Sequence, residues 1–272
     1  MNMLRDAHGH IDFRTLLYST MSIIWLLKSS EDSDSRYVDT LQRSGMTAVT
    51  VPVLTFTFCN QDTFKAALEK PQDHSGIIFT SQRAVEAVSQ IYSKMPAAHH
   101  HTWSEKKVFV IGDATQRAVQ THLKLSCIGQ ESGNAKQLAP IIIRETKAFD
   151  KPLLYPCGNL GRDELPRLLA QEDRDFRALT TYQTSQHPQL KQCIQNLKSS
   201  GKLPKVMVFF SPSGVNFTLP VLESVGVNII GVKFVAIGPT TNTALVEHNI
   251  PVSGVCPTPT PEGVIHVLTS LL

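Results

Sequence analysis

Small hydroxyl side chains recur in this chain directly after apolar runs. Thr80 and Ser81 follow Gly76-Ile77-Ile78-Phe79, and Ser211 and Ser213 follow Val206-Met207-Val208-Phe209. Thr115 closes Lys107-Val108-Phe109-Val110-Ile111-Gly112-Asp113-Ala114-Thr115, and Thr240 and Thr241 close Lys233-Phe234-Val235-Ala236-Ile237-Gly238-Pro239-Thr240-Thr241. A Ser or Thr where a strand turns into a helix accepts from the free N–H groups of the first helical turn, which is worth ~1 kcal/mol as a cap. Several such turns on one region do more. Helix N-termini carry partial positive charge and unpaired donors, so together they hold carboxylates or phosphates without many Lys or Arg side chains. Arg83 and Lys233 stand beside two of these turns and add full charges, as anion ligands or as ordinary surface residues. Tyr182, in Thr180-Thr181-Tyr182-Gln183-Thr184, ends another apolar run, where its phenol either packs or reaches a ligand.

Other chemistries are disfavoured by what the motifs lack. There is no Gly-x-x-x-x-Gly-Lys-Ser/Thr loop and no Gly-x-Gly-x-x-Gly after a strand; Cys157-Gly158-Asn159-Leu160-Gly161 is too sparse in glycine. Neither Ser81 nor Ser211 sits in a Gly-x-Ser-x-Gly elbow, and no His-Glu-x-x-His occurs. Asp113 is the one acid among the turns and has no counterpart at Pro239, so a phosphoester or nucleotide-sugar enzyme is a weak rival. The run His99-His100-His101 is expected in an extended loop whose neighbouring side chains point apart, which makes no closed metal site.

The elements that must position these residues form two similar sets. Residues 23–27, 38–43 and 49–54 read as strand, helix and strand, and residues 153–155, 163–171 and 178–182 repeat that order. Leu26 and Leu153, Phe79 and Phe210, Gly112 and Gly238, and the helix starts at Gly133 and Thr260 are related by offsets between 126 and 131 positions. So long a period is not that of a solenoid, and the expectation is two copies of one α/β unit with mostly parallel sheets, their ligands at the carboxyl ends of strands. Residues 94–103 and 184–188 read as loops, and a last helix is expected over 263–272.

The bulk composition agrees. A length of 272 residues suggests about two domains, and 42% hydrophobic content suffices for a core in each. A net charge of +3 without a basic block points away from nucleic acid and from a polybasic membrane anchor, and no apolar run is long enough to span a bilayer. Five scattered cysteines, Cys59, Cys127, Cys157, Cys193 and Cys256, suggest reduced thiols and a cytoplasmic protein. Residues 1–21 fit neither a secretory signal nor a transit peptide and are expected to be a poorly ordered extension, with Met21 an alternative start of the working fold.

Taken in order, Ile78-Phe79-Thr80-Ser81-Gln82-Arg83-Ala84-Val85-Glu86-Ala87, Tyr155-Pro156-Cys157-Gly158-Asn159-Leu160, Tyr182-Gln183-Thr184, Phe209-Phe210-Ser211-Pro212-Ser213-Gly214 and Ala236-Ile237-Gly238-Pro239-Thr240-Thr241 resemble the uroporphyrinogen-III synthase family. The resemblance runs from about Ser22 to the C-terminus. Gln82 stands where that family often has proline and Asp113 where it often has asparagine or a small residue, and neither change removes a hydroxyl. The resemblance implies a HemD-like fold: a discontinuous α/β domain from 22–52 and 186–272, a second from 55–181, linker strands near 52–55 and 182–186, and an active cleft between the domains.

The implied reaction is closure of the linear tetrapyrrole hydroxymethylbilane, with loss of water and inversion of its last ring, by a monomeric enzyme needing no metal or organic cofactor. The substrate also closes unaided to the uninverted isomer, so the protein's task is to fold it and to assist departure of its hydroxyl. By the same resemblance Tyr182 assists the leaving hydroxyl and Thr241 positions the substrate. Thr80, Ser81, Arg83, Thr115, Ser211, Ser213, Lys233 and Thr240 would hold its carboxylates. A non-enzymatic two-lobed module binding a small polyanion is the alternative, and it predicts saturable binding without turnover.

Overall fold

The computed structural model of the chain describes residues 22–29, 35–161 and 164–272. The extension expected over residues 1–21 lies outside the described residues. In chain order the elements are β1 (Ile23–Ser29), α1 (Arg36–Arg43), β2 (Thr47–Phe58), α2 (Gln61–Leu68), β3 (Gly76–Phe79), α3 (Gln82–Tyr92), α4 (Ala97–Ser104), β4 (Lys107–Val110), α5 (Gly112–His122) and α6 (Ala135–Glu145). They continue with β5 (Leu153–Gly158), α7 (Glu164–Ala170), β6 (Phe176–Gln186), α8 (Leu190–Ser199), β7 (Val206–Phe209), α9 (Pro212–Val225), β8 (Lys233–Ala236), α10 (Pro239–Glu247), β9 (Val252–Val255) and α11 (Pro261–Thr269).

The chain divides into two compact units, one from Met1–Thr55 and Ser185–Leu272, the other from Phe56–Thr184. In the first, the strands run β2-β1-β7-β8-β9, all parallel. In the second they run β6-β5-β3-β4, again parallel, with Ile128 bridged to Phe109 beyond β4. The two orders are the same once β1 is matched to β5, β2 to β6, β7 to β3 and β8 to β4. Both sheets belong to the α/β class anticipated from the alternating pattern.

Short parallel strands buried on both faces explain the apolar runs. In the second unit Ile77, Phe79, Val108, Val110 and Leu154 pack into one cluster, while Ile78, Phe109, Leu153 and Tyr155 pack into another. Alternate residues of a strand point to opposite faces, so this is one sheet with a core on each side. In the first unit Ile24, Leu26, Val206, Val208 and Val235 share a cluster on the same principle. Truncating a wholly buried ring such as Phe79 or Phe209 to alanine costs about 3–5 kcal/mol, the loss of transfer energy plus the cavity left behind.

Helix starts follow the hydroxyl and amide residues. Ser81 accepts from the Ala84 N–H at 3.2 Å and Ser211 from the Gly214 N–H at 3.0 Å. Asn134 and Thr260 do the same for α6 and α11, at 3.1 and 3.2 Å. Pro212 occupies the first position of α9, where a missing N–H costs nothing.

Two local expectations are overturned. The histidine run lies in helix α4, not in an extended loop. Pro96 starts that helix, buried Trp103 anchors it through an indole bond to the Leu68 carbonyl at 2.9 Å, and the His100 ring stacks on Tyr92 at 4.4 Å. The loop expected over 184–188 begins later, because β6 continues to Gln186. Strand β2 is likewise longer than its apolar core, with the Cys59 N–H donating to the Thr181 carbonyl at 3.0 Å.

Candidate functional site

In the second unit the chemistry gathers on the turn between β3 and α3. Because β4 lies beside β3, the Ile111 N–H donates to the Phe79 carbonyl at 3.1 Å, and the starts of α3 and α5 are neighbours at the carboxyl edge of the sheet. Ser81 Oγ, which caps α3, lies 3.1 Å from the Tyr182 hydroxyl. Thr80 Oγ1 lies 3.4 Å from the Tyr155 hydroxyl. The two phenols reach the turn from opposite faces: Tyr155 belongs to the cluster with Ile78, and Tyr182 packs against the one with Phe79.

Burial dominates the electrostatics of Tyr182 and pushes its phenol above the ordinary value of 10.0. The bond to Ser81 pulls the other way, and Cys157 and Arg83 make smaller opposing contributions. Tyr155 is also pushed up, mainly by burial. Both phenols are therefore neutral across the physiological range and can donate a proton. A Ser81 hydroxyl that donates to Tyr182 leaves the phenol's own hydrogen for a third group.

Arg83 is half-buried and held in place. Its Nη1 donates to Glu86 Oε2 at 2.8 Å, and its guanidinium lies 4.5 Å from the centre of the Phe56 ring. Phe56 in turn meets Tyr182 edge to face, with centroids 6.1 Å apart. The positive charge expected near Thr80 and Ser81 is present, already oriented by an acid and an aromatic ring. Thr115 is 5% exposed and lies one turn inside α5, whose N-cap is Ile111, so it does not cap that helix.

The first unit repeats the arrangement in part. The Ile237 N–H donates to the Phe209 carbonyl at 2.9 Å and sets the starts of α9 and α10 side by side. Ser211 Oγ lies 3.2 Å from Ser213 Oγ while capping α9. In the first turn of α10 Thr240 is exposed and Thr241 is 1% exposed, and the N-cap is Gly238, which has no side chain to cap with. The two threonines thus do different things.

Lys233 is a correction. It begins β8, whereas the Gly238 turn follows the other end of that strand, and its Nζ donates to the Leu271 carbonyl. A four-residue strand separates the two ends by about 10 Å at ~3.3 Å per residue. The ammonium serves the C-terminal segment, not the hydroxyl turns.

Three features went unread in the sequence. Tyr155 and Gly158 stood in the motif Tyr155-Pro156-Cys157-Gly158-Asn159-Leu160 without a role assigned to either. Lys28, next to last in β1, is 4% exposed, with Nζ 5.4 Å from the Tyr37 ring centre and 5.9 Å from that of Phe210. A lysine directly after an apolar run was the available signal. Among the described residues no group of three or more His, Cys, Asp or Glu is arranged to hold a metal ion, and no helix is long and apolar enough to cross a membrane.

Known proteins share both the sequence and the fold. The chain is 25% identical over 261 residues to the uroporphyrinogen-III synthase of Saccharomyces cerevisiae, covering 90% of this chain and 94% of that protein. Its fold resembles the crystal structure of a mutant uroporphyrinogen III synthase from the extremely thermophilic bacterium Thermus thermophilus, with TM-score 0.63 and 14% identity over 92% of this chain and 99% of that one. The uroporphyrinogen-III synthetase of Helicobacter pylori matches with TM-score 0.63 and 18% identity over 93% of this chain and 100% of its own. The model of the family described as uroporphyrinogen-III synthase HemD matches residues 35–266, a span holding every hydroxyl turn described above, and the chain therefore belongs to that family.

Proposed function

We propose that Tyr182 is the acid that assists departure of the substrate hydroxyl in the family reaction. That reaction is carried out by a cyclising lyase: hydroxymethylbilane closes to uroporphyrinogen III with loss of water and inversion of ring D. The observation that carries the proposal is the 3.1 Å pair between the Tyr182 hydroxyl and the helix-capping Ser81. With its proton kept by burial, the phenol donates to the leaving oxygen, and Ser81 donates to the phenol oxygen as negative charge develops there.

Loss of water leaves a cationic azafulvene, which the terminal pyrrole attacks at its substituted carbon. The spiro intermediate then fragments and recloses inverted. This pyrrole chemistry is intrinsic to the substrate, so holding it in a folded conformation supplies the rest of the selectivity.

Donors at the helix starts of α3 and α9, with Thr80, Ser211, Ser213 and exposed Thr240, are suited to the acetate and propionate carboxylates, and Arg83 adds a charge-assisted partner. Thr115 and Thr241, both buried in first turns, position the backbone donors of α5 and α10. Family membership favours turnover over a polyanion-binding module. All five cysteines are free thiols, which supports a cytoplasmic enzyme, and we infer a monomer.

Incubating the purified chain with freshly made hydroxymethylbilane and separating the type I and type III isomers tests the activity: a product that is type I alone would refute it. The role of Tyr182 is tested separately by Tyr182→Phe.

A further inference from the structure

Gly158 ends β5 directly across from Tyr182 on β6, at a break in the strand register. Cys157 is paired with Thr180 and Gly158 with Tyr182, so Thr181 is an extra residue, wholly buried, with its Oγ1 3.4 Å from the Cys157 carbonyl. Such a bulge re-aims the side chain that follows it. Here it gives Tyr182 the position opposite Gly158 that Thr181 would hold in regular pairing.

The glycine is not there for its backbone, because its φ is not among the positive values of this chain. It is there for room. A Cβ on residue 158 would lie 2.6 Å from Cζ, 2.7 Å from Cε2 and 2.9 Å from the hydroxyl oxygen of Tyr182. Carbon atoms rest at about 3.5–4.0 Å, so any side chain at 158 forces the phenol back by roughly 1 Å. The hydroxyl end of the ring would move most, and that end meets Ser81.

We propose that Gly158 is a positioning residue for the reaction: its bare Cα is the bed on which the Tyr182 phenol lies, and it sets where the hydroxyl points. This rests on the role of Tyr182 proposed above. Gly158 transfers no proton itself. Its effect passes entirely through the ring beside it, which makes the inference separable from a general structural need for glycine.

The test combines Gly158→Ala, Tyr182→Phe and the double variant, assayed with hydroxymethylbilane and isomer separation, with a crystal structure of Gly158→Ala. The expected result is a loss of about tenfold or more in kcat for the type III isomer, with KM within about threefold, since misplacement by 1 Å costs up to about 100-fold. In the Tyr182→Phe background, adding Gly158→Ala changes kcat by less than about twofold, because no hydroxyl is left to misplace. The structure should show the phenol withdrawn from Ser81. An unchanged phenol position, or the same loss in both backgrounds, overturns the proposal. If Tyr182→Phe keeps full type III formation, the acid role fails and takes the role of Gly158 in the reaction with it, whereas an unchanged phenol in Gly158→Ala overturns this inference alone. Should Gly158→Ala fold poorly, Gly158→Ala/Tyr182→Ala is compared with Tyr182→Ala alone, in which the obstructing ring is gone: a Tm equal to that of Tyr182→Ala supports the inference, and a further drop as large as Gly158→Ala causes in the parent refutes it.

Discussion

Replacing Tyr182 by phenylalanine deletes one oxygen and leaves the ring against Phe56 and Gly158. Two costs follow, and their sizes differ enough to be told apart. The structural cost is one hydrogen bond between neutral hydroxyls, ~0.5–1.5 kcal/mol net. Ser81 keeps its other partner, the Ala84 N–H at 3.2 Å, so the cap of α3 survives. Against a stability of roughly 5–15 kcal/mol, such a loss leaves nearly every molecule folded. The catalytic cost is that of a positioned acid, about 100- to 10,000-fold in rate, or ~3–5 kcal/mol in barrier height. The assay quenches the reaction at short times, oxidises the products and separates the isomers. Because unassisted closure competes, the type I share should rise as enzymatic type III falls, while Tm drops by only a few degrees. A variant that keeps kcat within about threefold of the parent refutes the acid role. Folding also holds this phenol's proton more tightly than the unfolded chain does, since burial raises its value above 10.0. The folded chain then binds more protons above about pH 10, and stability falls as pH rises through that range by an amount that Tyr182→Phe removes.

Three further outcomes follow. Ser81→Ala and Ser211→Ala should each lower stability by about 1 kcal/mol, read from urea midpoints at constant slope, and Ser81→Ala should in addition cut type III turnover by loosening the phenol. Lys233→Met should leave kcat within about twofold, because the ammonium is tied to Leu271 at the amino end of β8; a loss of about tenfold would return it to the site. His74, 1% exposed and stacked on Trp103, has its value lowered, chiefly by burial and against the pull of the Pro152 carbonyl. The unfolded chain takes up the proton first as pH falls below about 6.5, so stability is lost from there down through the folded value, and His74→Phe should flatten that acid limb in urea titrations at stepped pH.

Much of this was legible because it is local. Runs such as Gly76-Ile77-Ile78-Phe79 and Val206-Met207-Val208-Phe209 read as buried strands, since parallel strands with a core on both faces need no polar alternation. Ser81 and Ser211 read as caps because the donors they satisfy lie three residues on. The histidine run was misread because its helix depends on Trp103 reaching the Leu68 carbonyl. Thr240 and Thr241 were equivalent in the sequence but not in the helix, where a rotation of about 100° per residue turns one outward and the other into the core.

Sequence alone determined the duplicated α/β pattern, the strand-ending hydroxyl turns and the family resemblance, because each rests on residue order within a few positions or on repetition of that order. Only the tertiary structure decided that Thr80 meets Tyr155 across 75 positions and Ser81 meets Tyr182 across 101, that Lys233 stands at the wrong end of its strand, and that Gly158 makes room for a phenol. Those pairings are set by strand order and by one bulge at Thr181. Register is a property of two strands together and is written in neither one alone.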